Sequence, residues 1–130
     1  MDEVVDPGEE ITRFLRTTSH LRRGIGRPHF AAFLPRLPGG EISVYRTLGL
    51  AQPDVIDMGA RFVGRPELPL RGHCSLEAQD LFVEGLDVVS APNPHERHAN
   101  VSGWTADPKN RIIAKKLADK ATLVAYEDGP

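Results

Sequence analysis

The sequence predicts an α+β domain: a small antiparallel sheet packed by an N-terminal helix and a long C-terminal helix. Three observations carry that expectation. Short stretches such as "EISVYRT" and "RHANVSG" alternate apolar and polar residues, as half-buried strands do. Apolar residues recur at helical spacing near both ends of the chain. A hairpin signal between 30 and 47 makes the sheet antiparallel, with helices on one face.

The elements follow in order. Asp6-Pro7, Gln52-Pro53 and Asp107-Pro108 each set a polar residue before a proline. Proline suits the first helical turn because its missing N–H has no partner there, and a preceding Asp accepts from free backbone N–H groups. Three helix starts are therefore expected. After the first, Ile11, Phe14, Leu15 and Thr18 share one helical face. "HFAAFLP" and "EISVYRT" read as strands joined by "LPGG". In the second of these, Ile42, Val44 and Arg46 share one face, with Ser43 and Tyr45 on the other.

"PDVIDMG" and "SLEAQDLFVEG" read as short helices that stop at Gly59 and Gly85, since glycine past a helix end takes the left-handed conformation without a Cβ clash. "ARFV" and "LDVVSA" are the strands expected after them. In "RHANVSG", Ala99 and Val101 share one face and His98, Asn100 and Ser102 the other. Gly103 lets the chain bend so that Trp104 reaches the core. The last helix buries Ile113, Leu117, Ala121 and Val124 and turns Lys109, Lys116 and Lys120 away.

A chain of 130 residues is the size of one domain, read as 1–130 with residues 1–7 a flexible acidic N-terminus. With 40% hydrophobic and 26% charged residues it is a folded rather than a disordered composition. No apolar run approaches the ~20 residues of a membrane span. "MDEVVDPGEE" lacks the apolar centre of a signal peptide, and the single Cys74 excludes an internal disulfide, so a cytoplasmic protein is expected. The net charge of −2 is unevenly spread. From 13 to 46 the basic residues are Arg13, Arg16, Arg22, Arg23, Arg27, Arg36 and Arg46, opposed by Glu41. Such a section can form an anion surface, although net acidity argues against a dedicated nucleic-acid binder.

Chemistry-bearing residues are few. His73, Cys74, His95 and His98 are zinc-type ligands, but paired cysteines are absent and no metal is expected. "GIGRP" has neither the strand before it nor the helix after it of a phosphate loop, and no cofactor is expected. Cys74 stands before Ser75, an expected N-cap, where a helix dipole would lower a thiol pKa; the plainer reading is a small buried apolar side chain. His20 lies among hydroxyls and guanidiniums in "TTSHLRRG". Arg46 shares a face with Ile42 and Val44, and an inward arginine must find an anionic partner or a ligand.

"AAFLP", "EISVYRTLGL" and "RHANVSGW" followed by a proline-started helix resemble a group of small uncharacterised bacterial proteins with an A-F-x-P, S-V-x-R and H-A-x-x-x-W order. The resemblance covers about residues 19 to 121. "GWTADP" stands where "GWP" is expected, which moves the helix start by a few residues. The resemblance implies a bacterial origin and one compact domain, carries over no catalytic residue, and draws attention to His20, Arg46, His98 and Trp104.

The leading functional expectation is a binding or accessory module for a protein partner or a small anionic ligand. It would use the 13–46 region and the polar face around His98, with Arg22, Arg23, Asn100 and His73 as ligand-binding candidates. The alternative is a metal-independent enzyme, nuclease- or toxin-like, acting on a phosphoester or nucleotide. There His20 and His98 would act as acid and base and Arg46 would hold the anion. That alternative requires at least two of His20, His73 and His98 to converge with Arg46 in one pocket.

Overall fold

The structure is a computed structural model that describes residues 4–126. Its main feature is a six-stranded antiparallel sheet in the order β6-β7-β4-β1-β5-β8. The strands are β1 (Glu10–Leu15), β4 (Ile42–Arg46), β5 (Gly72–Glu77), β6 (Asp87–Ser90), β7 (His98–Ser102) and β8 (Thr122–Ala125). Two residues each of β2 (Leu21–Arg22) and β3 (Arg27–Pro28) pair as a separate ribbon. The helices are α1 (Gln52–Phe62), α2 (Ala78–Phe82) and α3 (Lys109–Lys120). An α+β class is therefore present, with the helices distributed over both faces of the sheet rather than one.

On one face, α2, α3 and a 3₁₀ turn at Phe30–Phe33 close the larger core, with Leu15, Val44, Cys74, Val101 and Leu117 among its most deeply buried members. Each such Leu or Val contributes about 1.5–3 kcal/mol by leaving water. On the other face, α1 lays Val55 and Met58 over Phe14 and Tyr45. Trp104 is buried in the larger core, and Gly103 turns the chain into it with φ +99°. The alternation read in β7 and β4 is present, and β6 and α3 lie where expected, with Ile113, Leu117 and Ala121 buried.

Several elements differ from expectation, each for a physical reason. The N-terminal helix is strand β1. Its segment buries Ile11, Thr12, Phe14 and Leu15, because a central strand covered on both sides loses its period-two pattern, and the residues of two faces imitate one helical stripe. The same applies to β5, which runs through Cys74 and Ser75; the helix behind it starts after Glu77. There Glu77 and Asp80 form a reciprocal capping box.

"HFAAFLP" is a 3₁₀ turn whose Ala31 N–H donates to His29 Nδ1, so 30–47 is not a hairpin; β4 pairs with β1 and β7 instead. "ARFV" is the last turn of α1. Gly59 is inside that helix, where a Cβ would overlap the Phe14 ring, so its role is close packing rather than helix termination. Val124, expected on the last helix, pairs with His73 in β8. At the N-terminus Val5 is buried and Gln79 N–H donates to Pro7 O, which ties the chain to the domain from Val5 onward; residues 1–3 lie outside the described residues.

Candidate functional site

β1 and β4 are neighbours for only part of their length. Their register holds Ile11 opposite Arg46 and Thr12 opposite Tyr45, and then stops. Glu10 O accepts from Thr47 N, so even-numbered residues of β1 point their backbone groups at β4. The next pair to exchange hydrogen bonds would be Phe14 with Ser43, and that pair is not formed. The strands splay, and Arg13 fills part of the opening. Its Nη1 donates to Ser43 O at 2.8 Å and its Nε to Ala32 O at 3.1 Å.

The splay opens into a cavity of about 440 Å³. Arg13, Arg16, His20, Ser43, Tyr45 and His98 supply its polar lining, Phe14, Phe62 and Val63 much of its apolar wall, and no carboxylate among the described residues lines it. Arg16 donates from Nη2 to Val63 O at 2.9 Å. Both guanidiniums thus rest on neutral carbonyls, and neither forms an ion pair among the described residues. Burial lowers the pKa of Arg13, and nearby Arg16 adds to that. Burial also lowers His20, with His29 and Arg13 adding positive charge nearby; its Nδ1 lies 3.3 Å from Thr17 Oγ1. Burial raises Tyr45, opposed by the charge of Arg16.

Along one wall runs a hydrogen-bonded relay. His98 Nδ1 is 2.9 Å from Ala91 O. A carbonyl only accepts, so Nδ1 carries the proton and Nε2 is the acceptor. The Ser43 hydroxyl donates to Nε2. This contact is a consequence of register: Ser43 stands opposite Asn100 and Tyr45 opposite His98, so Ser43 and His98 are diagonal neighbours on one face. Tyr45 holds the imidazole edge-to-face at 5.3 Å, while Ser43 itself is exposed.

Of the candidates named from sequence, His20 and His98 share this cavity. Arg46 is elsewhere: its Nε and Nη2 bind Glu9 at 2.8 and 2.9 Å, and it lines a separate depression with Glu96 and Arg97. His73 is sealed under α1, between Gln52 Oε1 at 2.9 Å from Nε2 and the Tyr126 hydroxyl at Nδ1, and burial pushes its pKa down to about 4. Asn100 lies on the His98 face of β7. Arg22 is in the β2–β3 ribbon, and Arg23 donates to Tyr126 O at 3.2 Å. Cys74 is buried in β5, where desolvation drives its thiol up to about 12, the state of an inert core thiol. Among the described residues no three His, Cys, Asp or Glu side chains gather as a metal site.

Sequence reasoning included Arg13 and Arg16 only as members of the basic 13–46 section, and Ser43 only as one residue on a strand face; none was singled out as a site residue. The signal for Arg13 was present: in a strand it alternates with Ile11 and Leu15, which makes it the inward arginine. Reading that segment as a helix concealed it.

No protein family, curated protein or solved structure matches this chain. The site therefore rests on its own geometry.

Proposed function

We propose that the protein is a binding module for a small anionic ligand, held in the cavity between β1 and β4. One observation supports this above all. Among the described residues, Arg13, largely withdrawn from water, is partnered only by neutral carbonyls, faces no carboxylate, and makes no hydrogen bond through its Nη2. A desolvated cation is costly unless an anion meets it, and an anionic ligand is the missing partner. Arg16 and His20 on the same wall extend the positive field, and Phe62 and Val63 provide apolar contact for the ligand's body.

The phosphoester alternative relied on Arg46 as the anion holder. Arg46 is held by Glu9 in a separate depression, so it does not join His20 and His98 in this pocket as that alternative requires. The chain has no helix among the described residues that is long and apolar enough to cross a membrane, and we place the protein in the cytosol, where buried Cys74 stays a thiol.

The test is thermal shift and calorimetry with inorganic phosphate and a series of mono- and dicarboxylates. At least one should stabilise the protein, with affinity that falls as salt rises. In Arg13→Met that response should vanish while Arg22→Met keeps it. Equal responses in Arg13→Met and wild type would end this reading.

A further inference from the structure

We propose that Ser43 is a nucleophile and His98 its general base, and that the cavity performs acyl transfer on carboxylic esters that carry an anionic group. This rests on the anion-binding reading of the same pocket for its choice of substrate, though not for the nucleophile itself.

The parts of an activated nucleophile are a hydroxyl in hydrogen-bond reach of a base and a third group that orients the base. All three are present: Ser43 Oγ–H donates to His98 Nε2, and Ala91 O fixes the tautomer through Nδ1–H. The exposure pattern fits the same division of labour. Ser43 is open to the cavity, and the imidazole behind it is buried and clamped by Tyr45. Beside the nucleophile stands Arg13, anchored on the carbonyl of Ser43 itself, with its Nη2 making no hydrogen bond among the described residues. That arrangement offers a fixed cationic donor close to one reacting centre. It suits the single oxyanion of a tetrahedral intermediate. A transferring phosphoryl group, with charge spread over three equatorial oxygens, asks for several cations around one phosphorus. Arg16 remains for the substrate's permanent negative charge.

The reaction balances within the site. Ser43 Oγ bonds to the ester carbonyl carbon as its proton passes to His98 Nε2. The tetrahedral intermediate collapses, the ester C–O bond breaks, and the leaving alkoxide takes that proton as the alcohol. Water then attacks the acyl-Ser43 ester and gives its proton to His98. The carboxylic acid departs and the proton returns to Ser43 Oγ.

The experiment uses the full chain, a fluorophosphonate, and two activated esters, para-nitrophenyl acetate and mono-para-nitrophenyl succinate. Intact-mass and peptide mapping should show one phosphonyl group on Ser43 of the wild type, with none on Ser43→Ala. His98→Gln should slow labelling about 100-fold or more. Ser43 is exposed, so Ser43→Ala tests the proposal even if the buried His98 variant fails to fold. The succinate ester should turn over faster than the acetate, and Arg16→Met should erase that preference. An unlabelled wild type, or equal labelling of Ser43→Ala, overturns the nucleophile while leaving any phosphate or carboxylate stabilisation intact. Labelling of Ser43 with no preference for the anionic ester keeps the nucleophile and overturns the anionic substrate class.

Discussion

Arg13 and Arg46 stand on adjacent central strands and share the inward-facing alternation of their neighbours, yet the fold treats them differently. Arg46 meets Glu9 in a two-point ion pair, with the side chains 13% and 12% exposed. Arg13 meets two carbonyls and a cavity. The first arrangement is electrostatically complete, and its measurable consequence is stability. The second is incomplete without a solute, and its measurable consequence is binding. A buried charge alone does not mark a site; a buried charge that meets no counter-ion among the described residues, and faces a cavity, does.

The largest expected effect belongs to the complete pair. Glu9→Ala should destabilise the fold by roughly 2–4 kcal/mol in urea unfolding, because it removes a two-point ion pair from a largely desolvated guanidinium, and should leave ligand-induced stabilisation of the remaining folded protein unchanged. A loss under about 0.5 kcal/mol, typical of an exposed pair, would erase the contrast between the two arginines.

A second closed cluster sharpens the comparison through pH. His73 has its pKa held near 4 by burial, below the ordinary 6.5. Above pH 6.5 both folded and unfolded forms are neutral and no penalty exists. As pH falls from 6.5 to 4 the unfolded chain takes up a proton that the folded chain refuses, so stability declines, by about 3 kcal/mol in total. Urea unfolding across that window should show this slope, and His73→Gln should flatten it by most of that amount. An unchanged slope in the variant would mean that His73 is not sealed.

Arg13→Met should change the stability of the unliganded protein by about 1 kcal/mol or less, since relief from desolvation offsets two lost hydrogen bonds. Its effect belongs to binding alone. A loss as large as that of Glu9→Ala would assign Arg13 a structural role. A similarly small effect is expected at Trp104, whose buried indole Nε1 has no partner among the described residues. Trp104→Phe removes that unpaired donor, and the relief offsets much of the lost packing, leaving a change near 1 kcal/mol.

How much of this was legible follows the same division between local and non-local information. Alternation placed Ser43 and Tyr45 on one face of β4, and His98 and Asn100 on one face of β7, because strand period is a local property. That Ser43 and His98 meet depends on the register of β4 against β7, which no single strand encodes. β1 and β5 were obscured because both of their faces are buried, and Gly59 because its reason is the Phe14 ring across the interface. The rule that an inward arginine needs an anion holds; Arg46 satisfies it with Glu9, and Arg13 meets no anion among the described residues.

The most direct test of that contrast is calorimetric titration of wild type, Arg13→Met and Arg46→Met with inorganic phosphate and succinate at low ionic strength. Wild type should bind saturably, Arg13→Met should not bind, and whatever fraction of Arg46→Met folds should still bind. Binding that survives in Arg13→Met would contradict that contrast.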